Sequence, residues 1–452
     1  MIKMKTPILS FVKKYARSSS TRMHMPGHKG KHFLGCEELD ITEISGADVL
    51  YRANGIIEES ENNASELFGT AHTFYSTEGS SLSIKAMLAL AAYDGYSIRK
   101  GARPHVIAAR NVHKSFIYAC ALLDLEVDFI FSKDNGHLCS CNITPSDVEN
   151  EINKRKTLPC AVYVTSPDYL GNILDIKGIS EVCHRFGVPL LVDNAHGAYL
   201  ALTEPSMHPI ALGADMCCDS AHKTLPVLTG GGYLHVSKKA KSVFVSNARA
   251  RLSLFASTSP SYLILQSLDI CNVYLEEEGK KRLLRTLKLI AELKHTLSNK
   301  GFSFVGDEPL KLTLDLTRNQ VTGDQAADFL RLHCSIECEY SDKNYLVLMV
   351  SPQNTLSDID RLQTALLSIP LHPSQDKPVN HTITTKRICS IREAIFSPHT
   401  TLSTVQAIGR VCASPTVSCP PAVPIAISGE LITEQMAELF HHYGIKEIDV
   451  LK

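Results

Sequence analysis

Lys223 and Asp193 are the two residues whose types and settings could do chemistry together. Asp193 closes an apolar run in LLVDNAHGA (190–198), which reads as a buried strand ending in a carboxylate. Lys223 follows Ser220 and His222 in DMCCDSAHKTLP (215–226), at the end of a second short strand-like segment. An amine so placed can hold an aldehyde as a Schiff base, and an acid one strand away can pair with a protonated ring nitrogen. Pyridoxal phosphate needs both contacts. The competing reading is a buried salt bridge, which is uncommon because two desolvated charges rarely recover their solvation cost.

Three further strings bear on the same chemistry. STEGSSLSIKAML (76–88) is a hydroxyl-rich turn opening a helix. Backbone N–H groups at a helix start, with the Ser80 and Ser81 hydroxyls, form an anion cradle suited to a phosphate. Ordinary N-capping serines look the same, so this signal gains value only beside the lysine and the acid. ARNVHKSF (109–116) sets His113 just past a strand end, where an imidazole could stack on a cofactor ring or simply cap a helix. Ala195 is small enough to lie under the other ring face. His196 could approach a phenolic oxygen, and His222 a phosphate or a substrate.

The elements that must position these residues alternate. Strands are expected over 106–109, 127–131, 161–165, 189–192, 216–218 and 233–236, and helices over 81–93, 146–154 and 179–186. Such alternation predicts a mostly parallel sheet with helices on both faces. Its ligands sit beyond the carboxyl ends of the strands, where Asp193 and Lys223 fall. A long helical stretch over 261–299, charged at EEEGKKR, would link this unit to a smaller α/β unit. The latter reads as strand 310–316, helix 324–332, strand 345–350 and helix 357–367, with Ser357 as N-cap. Helices are also expected over 403–413 and 433–443. The division is therefore a large domain over 1–300 and a small one over 301–452, with a proline-bearing linker near 370–387.

Composition narrows the class. The chain has 452 residues, 44% hydrophobic and 21% charged, with net charge -1, which describes an ordinary globular protein with ample core. No basic excess points to nucleic acid, and no apolar stretch is long enough to span a bilayer. The first twenty residues lack the apolar core of a signal peptide and read as an amphipathic helix near 8–15. Fourteen cysteines are scattered without paired CxxC knuckles, so no structural metal is expected and a reducing cytoplasm fits.

The motifs resemble those of the Orn/Lys/Arg decarboxylases, in the short bacterial form that lacks a receiver-like wing domain. The resemblance runs nearly end to end. It is carried by HMPGHKG (24–30), DITEISGADVL (40–50), ASELFGTAHTFYSTEGSS (64–81), RNVHKS (110–115) and TSPDYLG (165–171). DNAHGA (193–198), SAHKTLP (220–226), STSPSY (257–262) and PPAVPIAISGELIT (420–433) complete it. HMPGHKG together with SAHKTLP is the specific pair. Where other members carry a glycine and an aromatic, this chain has Ala422 and Cys419, and its DNAHG run is less bulky and less acidic than theirs.

The resemblance implies PLP fold type I: an aspartate-aminotransferase-like large domain with a mostly parallel seven-stranded sheet, plus a smaller α+β carboxy-terminal domain. It implies pyridoxal 5'-phosphate attached to Lys223, its ring nitrogen on Asp193 and its face under His113. Gly79, Ser80, Ser81, Ser220 and His222 would take the phosphate, and Thr258 of STSPSY would reach the neighbouring subunit's phosphate in a homodimer with shared sites. His24 and His28 would stand near the substrate mouth.

The implied reaction is decarboxylation of arginine, lysine or ornithine to the amine, as in polyamine biosynthesis. The cationic tail wants a carboxylate, for which Glu393 and Glu430 are candidates, although either could be a plain surface acid. An aminotransferase on the same fold is the nearest rival. It would clamp the substrate carboxylate with an arginine, and Arg392 is the candidate. A catalytically silent binding homologue is the rival of another class.

Overall fold

In a computed structural model, residues 4–93, 103–132, 138, 140–373, 383, 385–417 and 423–452 are described. The central sheet has seven strands: β1 (His72–Ser76), β2 (His105–Ala109), β3 (Glu126–Ile130), β4 (Ala161–Thr165), β5 (Leu190–Asp193), β6 (Met216–Asp219) and β7 (Gly232–Val236). Their order is β1-β7-β6-β5-β4-β2-β3, with only β7 antiparallel to its neighbours. Strands β2, β5 and β6 are buried along their whole length, which explains why they read as unbroken apolar runs.

Six of the seven strands fall where the sequence places them. The seventh, β1, has the polar string HTFYS and pairs antiparallel with β7. Its inward polar group is satisfied rather than absent: Thr73 Oγ1 lies 2.9 Å from His235 Nδ1 across that pairing.

Helices Gly79–Ala92, Pro145–Asn153 and Ile176–Arg185 match expectation within a few residues. The amino-terminal helix Pro7–Ala16 buries Ile8 and Val12. Among the described residues no helix is long and apolar enough to cross a membrane. The long linking helix runs as Tyr262–Tyr274 and Lys280–Ser298, joined by a π-helical turn at Leu275–Gly279 that contains the EEEG acids.

A second sheet, of antiparallel strands, comprises β8 (Ser303–Val305), β9 (Lys311–Asp315), β10 (Tyr340–Ser341) and β11 (Tyr345–Met349), in the order β10-β11-β9-β8. Helices Gly323–Cys334 and Leu356–Leu367 accompany it. Ser357 is not the cap of the second helix. Thr355 is: its hydroxyl accepts the Asp358 N–H, and the Asp358 carboxylate accepts the Thr355 N–H in return. Two groups satisfied reciprocally outweigh one serine inside the first turn.

Residues 403–413 are not a helix. Strand β12 (His399–Ser403) pairs antiparallel with β15 (Glu447–Leu451), and the chain then turns through Gly409 at φ +79°. Long-range pairing overrides the local helical spacing here. A short ribbon of β13 (Thr416–Val417) and β14 (Ala426–Ile427) precedes helix Glu434–His442, which Thr433 caps. This terminal part lies against the large sheet: Ile391 and Ile427 share a core with Phe116 and Ile117. Residues 374–382 of the expected linker, and Cys139, Cys419 and Ala422, lie outside the described residues.

Candidate active site

A cavity of about 560 Å³ opens beyond the carboxyl ends of the central strands. Asp193 is the last residue of β5, and Ser220 follows the last residue of β6. Lys223 sits one turn further on, in the short helix Ala221–Thr224. His113 follows β2, and Gly79 opens the helix after β1. All five line the cavity, as do Ser80, Ser81, Ala195, His196 and His222.

The Lys223 ammonium nitrogen lies 2.9 Å from His196 Nε2. Burial pushes the Lys223 pKa below the usual lysine value, against the opposing charge of Asp193. Burial also lowers the pKa of His196, with help from the Lys311 and Lys223 charges, and that of His113. The amine is thereby readied as a nucleophile, and both imidazoles are kept neutral.

Asp193 is 2% exposed and held from three sides. The Tyr163 hydroxyl donates to Oδ2 at 3.1 Å, the Ala195 N–H to Oδ1 at 3.2 Å and the Cys218 thiol to Oδ1 at 3.6 Å. A deeper group fixes the strands themselves. Asp219 Oδ2 accepts from His208 and His235 at 3.1 Å each, and Oδ1 accepts from the Asn194 amide at 2.7 Å. Burial alone would raise the Asp219 pKa, but the two imidazoles hold it well below the carboxylate range. Asn194 follows Asp193 and Asp219 precedes Ser220, so this network locks the ends of β5 and β6 together. Ligand-type atoms of His208, Cys217 and Asp219 also lie within 4.8 Å of one another, and their mutual hydrogen bonds account for that closeness.

The serines expected to form the cradle lie together. Ser220 Oγ donates to Ser80 Oγ at 2.9 Å, and Ser115 Oγ to Ser81 Oγ at 3.0 Å. Gly79, at φ +63°, gives its N–H to the Gly230 carbonyl, and the helix start exposes its next N–H groups to the cradle. His222 Nδ1 donates to the Gly231 carbonyl at 2.9 Å, which fixes the ring beside Gly79. His113 caps its helix, with Nδ1 accepting the Ser115 N–H at 3.2 Å, and its side chain also lines the cavity.

Three buried polar atoms of cavity-lining residues have no partner among the described residues: Asn111 Oδ1, Thr165 Oγ1 and His196 Nδ1. Each would cost about 1–3 kcal/mol if left so. An amine lining the cavity, a fixed carboxylate, a hydroxyl cradle and these orphaned atoms together fit a phosphorylated aromatic aldehyde. Asn111 and Thr165 sit inside motif strings of the sequence, but no role was legible for either. Thr416 reaches the cavity from the terminal part, with no local signal to announce it.

The remaining candidates are not brought to this cavity within one chain. Thr258 is exposed, although the adjacent Ser257 N–H donates to Glu78, which lines the mouth. His24 is bonded to Tyr15 and to its neighbour's carbonyl, and His28 lies 3.3 Å from Asp40. Arg392 is no clamp here. Its guanidinium donates to the carbonyls of Ala121 and Leu122 at 2.9 and 3.1 Å, closing the end of helix Lys114–Leu123. Glu393 lies in the first turn of helix Ile391–Phe396, on the surface.

Glu430 is buried but already neutralised. Arg110, fully buried, grips it through two bonds of 2.7 and 2.8 Å, and the Ile427 N–H adds a third at 3.0 Å. A carboxylate so paired has no charge left for a substrate. Glu430→Gln is therefore expected to lower stability by about 3–5 kcal/mol, because Arg110 stays buried without its counter-charge. Chemical denaturation checks this. An unchanged midpoint, with basic substrates selectively weakened, would return Glu430 to substrate recognition.

Comparison with known proteins agrees with this geometry. A lysine decarboxylase from Francisella novicida superposes with a TM-score of 0.81 at 16% identity, covering 99% of this chain and 81% of its own. Lysine decarboxylase A from Pseudomonas aeruginosa gives 0.80 at 16% identity, covering 99% and 80%. The fold is PLP fold type I, an α/β architecture with a seven-stranded, mostly parallel sheet. The family model described as "Orn/Lys/Arg decarboxylase, major domain" matches residues 6–311. Arginine decarboxylase from Bacillus subtilis (strain 168) is 31% identical over 96% of this chain and 93% of its own length. The chain belongs to the Orn/Lys/Arg decarboxylase family. A second relative, the arginine decarboxylase of Halalkalibacterium halodurans, is 30% identical over 95% and 91%.

Proposed function

We propose that the protein is a pyridoxal-phosphate-dependent decarboxylase of a basic amino acid, with arginine the first choice and lysine or ornithine next. Beyond family membership, one observation carries the choice of reaction: among the described residues, the cavity is lined by no arginine. An aminotransferase on this fold would fix the substrate carboxylate with such a cation, whereas a decarboxylase must let that group leave.

Lys223 would hold the cofactor's aldehyde carbon, Asp193 its ring nitrogen, and Ser80, Ser81 and Ser220 its phosphate. His113 and Ala195 would bracket the ring, with His196 beside its phenolic oxygen. When bound, pyridoxal phosphate supplies the sink for electrons released from a bond at the substrate α-carbon. Asp193, fixed by the Tyr163 hydroxyl, would keep a proton on the ring nitrogen. Lys223 Nζ would also be the group that returns a proton to the substrate α-carbon. The neutral His196 at 2.9 Å can relay that proton.

The working unit is proposed to be a cytoplasmic homodimer that shares its sites. Support comes from Met23, Phe33 and Leu34, which are 79–90% exposed in the segment containing HMPGHKG, and from Thr258 standing exposed beside Glu78. Residues 1–300 would hold the cofactor and 301–452 would complete the mouth. A panel of amino acids, with amine identification and sedimentation of the active fraction, tests the whole reading. An amine from arginine, lysine or ornithine at the dimer's mass is expected. A keto acid product, no product at all, or a fully active monomer would contradict it.

A further inference from the structure

With Glu430 spent on Arg110, and Glu393 remote from the cavity, the cationic tail of a basic substrate needs another acid. Among the described residues, one further carboxylate besides Asp193 lines the cavity and another is bonded to a lining residue. Glu78 lines the mouth on the side of the serine cradle, where its Oε1 accepts the Ser257 N–H at 2.8 Å. The other is Glu339, which comes from the second sheet, immediately before β10. Its Oε1 accepts the hydroxyl of Tyr169 at 2.8 Å.

Tyr169 is the bridge between that sheet and the lysine. Its side chain lines the cavity, its ring stands edge-on to His196 with centroids 5.3 Å apart, and His196 touches the Lys223 amine. Tyr340 braces the same ring from the second sheet, edge-on at 5.4 Å. Lys311, 2% exposed, holds the loop from behind by donating to the carbonyls of Asp168 and Tyr169 at 3.1 and 3.4 Å. Glu339 is an exposed residue held to this stack through the Tyr169 hydroxyl, and among the described residues it forms no ion pair. Burial lowers the Lys223 pKa, and the charges of Asp193 and then Glu339 act in opposition, so the Glu339 field reaches the reacting amine.

We propose that Glu339, held by Tyr169, receives the distal guanidinium or ammonium of the substrate and sets the preference for basic amino acids. This rests on the decarboxylase reading of the site. A tail extended from Lys223 along His196 and Tyr169 would reach a carboxylate in no ion pair, with the tyrosine ring alongside. Both features suit a cation.

The test compares arginine with citrulline, an uncharged tail of nearly the same shape, in wild type, Glu339→Gln and Tyr169→Phe. Glu339→Gln is expected to lower kcat/KM for arginine about 10–100-fold, the worth of one hydrogen bond to a charged group, chiefly through KM. Citrulline turnover should be unmoved or improved. Tyr169→Phe should shift arginine in the same direction by less. Calorimetric affinity for agmatine, the amine of arginine, should fall in parallel with the arginine effect. An unchanged arginine KM, or equal losses for arginine and citrulline, would overturn the assignment. Wild type failing on every basic amino acid would instead overturn the decarboxylase reading itself.

Discussion

Lys223→Ala is expected to abolish turnover and to leave no cofactor fixed to the protein by borohydride, while the chain stays folded. The side chain does two jobs in one cavity. It is the cavity-lining amine, with a pKa below the usual lysine range, that can attach to an aldehyde, and it is the donor placed to reprotonate the α-carbon. Loss of general acid–base assistance alone costs about 10²–10⁴-fold, and loss of covalent attachment comes on top. Folding should survive because removal of the amine leaves no charged partner stranded: Lys223 Nζ contacts the neutral His196 and forms no ion pair within 4 Å among the described residues. Free pyridoxal phosphate should still bind, through the serine cradle and Asp193. Borohydride-fixed cofactor retained on the variant would show that another amine carries it.

Asp193→Asn should retain bound cofactor yet slow turnover by ~10³-fold. The figure follows from the adjacent opposite charge, which moves a pKa by about 1–3 units, each unit being worth a factor of ten. The amide oxygen can still accept the Ala195 N–H, and the amide NH2 can donate to the Tyr163 hydroxyl oxygen, so the strand end keeps its shape. What is lost is the charge that holds a proton on the ring nitrogen. The cofactor absorbance measured against pH should show that proton leaving at lower pH in the variant. Near-normal turnover with an unshifted spectrum would mean that some other group faces the nitrogen.

Much of this site was legible because its parts are local. A strand ending in an acid, a serine-rich helix start and a lysine after a short strand each occupy a few consecutive residues, and parallel-sheet geometry gathers such ends on one side. The interior strands were legible for the same physical reason: buried on both faces, they are apolar throughout. Strand β1 escaped because Thr73 is paired across the sheet with His235, so its polar character carries no penalty. The supports of Asp193 escaped too. Nothing in the strings 161–165 and 216–219 says that Tyr163 and Cys218 would converge on it.

The substrate end was the least legible. Glu430 stood out as an acid, but its partner Arg110 lies 320 residues away in the chain, and only folding shows the pair closed. Arg392 likewise looked like a free cation until the helix end at Ala121 and Leu122 claimed it. Long charged side chains are read poorly from sequence because their partners are set by tertiary contact, not by spacing. The same limit hid Glu339, which earns its place only through Tyr169.

The central claim is that the bond broken is the one to the carboxylate. Wild-type protein loaded with pyridoxal phosphate and given carboxyl-labelled arginine in deuterated water tests it most directly. Labelled carbon dioxide and agmatine are expected in equal amounts, with one deuterium at the carbon that lost the carboxylate. Label retained in a keto acid, with no carbon dioxide released, would contradict it.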